Sequence, residues 1–79
     1  MDFSLIEKRE EDGVCYKLLK TMFYRDYFVI IAQDKKNFYC GSVHATFEEA
    51  YELFSEIAST NTDVGCIADI LLDFSKEKI

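Results

Sequence analysis

Apolar residues recur with two periods along this chain, first of two and then of three to four. Residues 2–10 alternate: Phe3 and Leu5 point one way, Ser4 and Ile6 the other. That period predicts a strand. Glu11-Asp12-Gly13 reads as a turn, since Asp-Gly between alternating segments is a strong hairpin signal. Residues 14–23 predict a second strand, with Val14, Tyr16, Leu18 and Met22 on one face and Cys15, Lys17, Leu19, Thr21 and Phe23 on the other. Tyr24-Arg25-Asp26 connects to a continuous apolar run, Tyr27-Phe28-Val29-Ile30-Ile31-Ala32, which suits an interior strand buried on both faces. After the polar turn Asp34-Lys35-Lys36-Asn37, residues 38–44 predict a fourth strand, in which Gly41 suggests a bulge.

The period then changes. In residues 46–60, TFEEAYELFSEIAST, the side chains of Phe47, Ala50, Leu53, Phe54, Ile57 and Ala58 share one side of a helix, with Tyr51 at its edge. Thr46 and Glu49 form a capping-box pattern, and Asn61 marks the end. Thr62 or Asp63 can cap a second helix over residues 64–77. Its apolar side (Val64, Ile67, Ala68, Ile70, Leu71, Leu72, Phe74) spans about half the circumference. The predicted architecture is α+β: one domain over residues 1–79, an antiparallel meander of three to four strands, then two helices packed on one face of it. Large apolar residues fall on both faces of the second and third strands, yet two helices cover only one face. Either a second copy covers the open face as a homodimer, or strand twist and snorkelling Tyr and Lys side chains hide it.

Composition sharpens this picture in three ways. At 79 residues with 49% hydrophobic and 15% aromatic content, the chain can bury a small core. There is no proline and there are three glycines, so a linker is not expected. The three cysteines, Cys15, Cys40 and Cys66, are odd in number and widely spaced, which does not suit a secreted disulfide framework. No apolar run is long enough to span a bilayer, and the first residues are too charged for a signal peptide. The expectation is a cytoplasmic protein.

The segment Ile67-Ala68-Asp69-Ile70-Leu71-Leu72-Asp73-Phe74 resembles the close of a family of small bacterial α+β domains of unknown function. In that family a sheet-forming first half precedes a helix and a leucine-rich segment ending in Asp-Phe. Phe3-Ser4-Leu5-Ile6-Glu7-Lys8 and Tyr27-Phe28-Val29-Ile30 fall where those domains have similar stretches. The resemblance covers most of the chain and implies a fold without an activity. The proline frequent ahead of the last helix is replaced here by Val64-Gly65-Cys66.

The residues that carry catalysis are few, and an enzyme is not expected. There is one histidine, His44, and no phosphate-binding glycine loop or nucleophile elbow. Cys40 and His44, four apart on a strand, lie roughly 13 Å apart, out of hydrogen-bond reach. Cys15, Cys40, His44 and Cys66 are zinc-ligand types without the close Cys-x-x-Cys spacing of zinc sites. Asp69 and Asp73, one turn apart, read as a solvated helix face before a cation site. No cofactor and no metal are expected.

Charge is where the pattern departs from what stability alone selects. The net charge is −6. Seven Lys/Arg and seven Asp/Glu cancel in residues 1–36, whereas residues 37–79 hold two and eight. Such a chain should bind neither nucleic acid nor anionic membranes directly, and a basic partner is the expectation. Glu48, Glu49, Glu52 and Glu56 fall within a narrow arc of the first helix, with no cation among them. The 48/52 and 52/56 pairs each cost about 0.2–0.5 kcal/mol. The stretch 48–56 spans about 12 Å at 1.5 Å per residue, so four carboxylates give one charge per roughly 3 Å, near the 3.4 Å rise per phosphate of one DNA strand. The expectation is therefore a non-enzymatic acidic interaction module. It would act as an inhibitor or regulator of a basic nucleic-acid-binding protein, in the manner of small acidic inhibitors from phages and mobile elements. Glu48, Glu49, Glu52 and Glu56 would make the contact, with Asp69 and Asp73 added. The competing readings are an ordinary solvated face, and a small-molecule or nucleotide binder whose pocket is lined by Tyr and Phe at a dimer interface.

Overall fold

The computed structural model describes residues 3–22 and 25–78. Four strands, β1 (Phe3–Glu11), β2 (Val14–Thr21), β3 (Tyr27–Gln33) and β4 (Phe38–His44), are followed by helices α1 (Phe47–Ser59) and α2 (Val64–Lys78). The sheet is an antiparallel meander in the order β1-β2-β3-β4. The α+β architecture read from the sequence is the one observed. Asp2 and Phe23, expected at strand ends, lie outside the described residues.

Each turn has a local chemical cause. Asp12 and Gly13 both take positive φ, 51° and 80°, the backbone that a two-residue hairpin needs to match the twist of its strands. At the β3–β4 turn the Asp34 carboxylate accepts from the backbone N–H groups of Lys36 at 2.8 Å and Asn37 at 2.6 Å. These bonds hold the Asp34 carboxyl below the usual carboxylate range. Helix α1 ends with Asn61 at φ 52°. The Asn61 N–H reaches the Ala58 carbonyl and the Thr62 N–H reaches the Ile57 carbonyl. This paired closure is a Schellman motif with Asn in place of Gly.

The core lies between the sheet and the two helices. Tyr16, Leu18, Phe28, Ile30, Ala32 and Val43 from the sheet meet Ala50, Leu53, Phe54, Ile57 and Ala58 of α1, and Val64, Ile67 and Leu71 of α2. Only part of the wide apolar stripe of α2 is used: Ala68 and Leu72 stay exposed. Met22, expected on the Tyr16 face of β2, lies past the strand's end and is exposed.

The irregularity in the sheet is not where the sequence suggested. The β3–β4 pairing runs without a register shift, with Ile30 opposite Gly41. The described bulge sits on β1, between Leu5 and Glu7. Gly41 serves a different purpose. A Cβ there would lie 2.2 Å from the Tyr39 hydroxyl oxygen and 2.6 Å from its Cζ, so the glycine makes room for an aromatic ring that crosses the strand.

Two polar links tie β-elements to helices. The buried Tyr16 donates its hydroxyl to the Thr62 carbonyl at 2.7 Å and to Asn61 Oδ1 at 3.3 Å, while Asn61 Nδ2 donates to Asp12 at 3.1 Å. The loop between the helices is thereby fastened to the first hairpin. On β1, Glu7 accepts from the Tyr51 hydroxyl and from Arg9. The Arg9 guanidinium lies 5.6 Å from the Phe54 ring centre and reaches Ser55 at 3.3 Å. Strand β1 is thus clamped to α1 by charge-assisted bonds at the rim of the core.

Candidate protein-interaction surface

Helix α1 places the acidic residues because its other side is committed to the core. Ala50, Leu53, Phe54, Ile57 and Ala58 are buried, which turns Glu48, Glu52 and Glu56 to solvent. Among the described residues, no Lys or Arg forms an ion pair with these three carboxylates. The ion pairs described are Lys8–Glu10 and Arg9–Glu7, both on β1.

Glu49 has a separate role. Its Oε1 accepts from the Thr46 N–H at 3.1 Å and from the Thr46 hydroxyl at 3.2 Å, and its own N–H donates to Thr46 Oγ1 at 3.3 Å. This is the complete capping box anticipated from the Thr46/Glu49 spacing. Glu49 is half-buried and its carboxylate is engaged in holding the helix start. The outward row is therefore Glu48, Glu52 and Glu56, one carboxylate per turn at intervals of about 6 Å. That interval is close to two phosphate rises of a DNA strand, about 3.4 Å each.

Beside this row runs a shallow groove between the helices, lined by Glu49, Glu52, Leu53, Glu56 and Phe74. It combines carboxylates with an apolar floor. Asp69 and Asp73 are exposed on α2 and extend the acidic layer. The Lys residues of the two helices are confined to the last turn of α2, since no Lys or Arg lies between Asn37 and Ser75. All six sequence-predicted contact residues thus lie on the helices, and five of them are exposed.

The other candidate chemistry is dispersed. Cys15 and Cys40 stand on β2 and β4, which β3 separates, and Cys66 is exposed on α2. His44 sits at the end of β4 with its ring edge-on to Tyr27, centroids 4.4 Å apart. Among the described residues no three His, Cys, Asp or Glu side chains come together as a metal site. Two further depressions lie at the turn end of the sheet, around Asp12–Val14 and Asp34–Asn37, and their linings hold no Tyr or Phe. Among the described residues no helix is long and apolar enough to cross a membrane.

Sequence reasoning missed the Glu7–Arg9–Tyr51 cluster. Tyr51 lies 44 positions from Glu7, and no local spacing signals that contact.

Comparison with protein-family models, with curated proteins and with solved structures finds no match to this chain.

Proposed function

We propose that this protein is a non-enzymatic acidic binding module whose helix layer engages a basic, nucleic-acid-binding protein and competes there with nucleic acid. The observation that supports the reading is the uncompensated row Glu48–Glu52–Glu56. These exposed carboxylates lie one turn apart and repel one another, and no described cation pairs with them. A helix shaped by stability alone would place a Lys at position 52, where it would serve both neighbours. Retaining three acids concentrates negative potential along one line, and the adjacent groove adds apolar contact from Leu53 and Phe74. Asp69 and Asp73 broaden the field. Such a surface steers a basic partner over a Debye length of about 8 Å at physiological salt.

The test is capture of partners from the native cell by the wild-type chain and by a triple variant, Glu48→Gln, Glu52→Gln and Glu56→Gln. Glu49 is left intact because it caps the helix. The expected result is a basic protein that the wild type retains, that salt or duplex DNA releases, and that the triple variant fails to hold while keeping its far-ultraviolet circular dichroism. Undiminished capture by the folded variant would overturn the reading.

A further inference from the structure

The sheet has a second face that the helices do not cover. Cross-strand pairing places its side chains in rows: Leu5–Leu19–Val29–Ser42, Lys8–Lys17–Ile31–Cys40 and Glu10–Cys15–Gln33–Phe38, with the pairs Phe3–Thr21 and Tyr27–His44 at one end. Its centre is apolar. Neighbouring side chains already shield Val29, which is 8% exposed, but Leu5 is 53%, Phe3 44% and Phe38 63% exposed. Shielding by Lys and Tyr stems, one of the two alternatives read from the sequence, is therefore incomplete.

We infer that this face is the interface of a symmetric dimer, its occupant a second copy of the same chain. Two observations favour a copy of itself. The first is area. Four strands at about 4.8 Å by seven residues at about 3.3 Å give the open face a footprint on the order of 440 Å². With the side-chain relief of Phe3, Leu5 and Phe38 the face approaches the roughly 600 Å² per partner at the low end of stable interfaces. The dimer is accordingly a reversible one.

The second observation is charge. Two molecules of net charge −6 repel through their helix layers, where Glu48, Glu52, Glu56, Asp69 and Asp73 lie. The open face carries Lys8, Lys17 and Glu10, so it is the side on which two copies meet least repulsion. Sheets pack face to face at about 10 Å with strands near −30°. That arrangement brings the Leu19–Val29 centres of the two copies together. It also leaves both acidic helix layers on the outside, free for the partner proposed above. The inference does not depend on that partner.

Sedimentation equilibrium over a wide range of protein concentration, with the variant carrying Leu5→Lys and Phe38→Lys, tests it. Both positions are exposed, so the fold tolerates the change. The wild type is expected to shift with concentration from one chain mass to two, and the double variant to stay at one. Cys40, on this face, and Cys66, on α2, provide a second readout. Alkylation of Cys40 should slow several-fold on dimerisation while that of Cys66 stays constant. A wild type at one chain mass throughout would overturn the inference. So would a dimer that survives the double substitution, or one in which Cys40 remains as reactive as in dilute solution.

Discussion

At the scale of single residues, the most demanding position is Gly41. A strand glycine reads from sequence as a weak point or a bulge, because nothing local tells register from space. Here the register is regular and the space is taken by the Tyr39 ring. Tyr39 is half-buried, and burial raises its hydroxyl pKa. Its rigid ring cannot bend aside as a long aliphatic chain would. Gly41→Ala is therefore expected to destabilise the fold by about 1–3 kcal/mol, the usual cost of forcing atoms into filled space, as read from the midpoint of urea unfolding. Were Gly41 a mere bulge position, the same substitution would leave that midpoint nearly unchanged.

At the scale of elements, α1 was legible almost to the residue, and so were the Asp12-Gly13 hairpin and the fourth strand. Each is written in local terms: a capping pair, a turn dipeptide, an alternation. The β1 bulge was not legible. It arises because Ile6 packs against the core while Glu7 and Arg9 reach α1, a demand set by partners that local pattern does not contain. The acidic row was equally legible, and so was the capping box that engages Glu49; the row that faces outward is accordingly Glu48, Glu52 and Glu56. Helix α1 also offers a clean separation of stability from function. Glu52→Lys replaces two like-charge neighbours with two opposite ones and is expected to stabilise the chain by on the order of 1 kcal/mol. The same change should weaken capture of the basic partner. A variant that gains thermal stability as it loses binding is the signature of a surface kept for recognition.

At the scale of the whole molecule, the sheet and helix layers are joined at their rim by ionised groups, and this sets the pH response. The Tyr51 hydroxyl and then Arg9 lower the Glu7 pKa below its usual 4.5, and backbone N–H groups lower that of Asp34 below 3.8. A lowered carboxyl pKa means that the fold favours the ionised form. Its contribution is complete above the unfolded value and is lost as pH falls through the folded one. The melting temperature is therefore expected to hold from neutral pH down to about pH 5 and to decline below it. Glu7→Gln should lower the neutral plateau and flatten the acid decline, which a melting series from pH 2 to 7 would show. A decline of unchanged steepness would mean that Glu7 does not carry it. At this scale the sequence also showed that one sheet face would lack cover, because β2 and β3 are apolar on both sides. Which contacts hold the layers together lay beyond it, since they join residues 40 or more positions apart.

The bond from Tyr16 to the Thr62 carbonyl has a consequence for the order of assembly. A meander forms from neighbouring hairpins, with short loops to close and little entropy lost for each. Fastening the interhelical loop to the first hairpin closes a loop of 46 positions, a step that is slow to find and is only rewarded when both layers are in place. Tyr16→Phe removes this latch and leaves the half-buried Thr62 carbonyl without its donor. The cost should fall on the unfolding limb of a stopped-flow chevron, with unfolding quickened and refolding nearly unchanged. The sheet would then be the template, and the helices with their acidic outer layer the last part to be set in place.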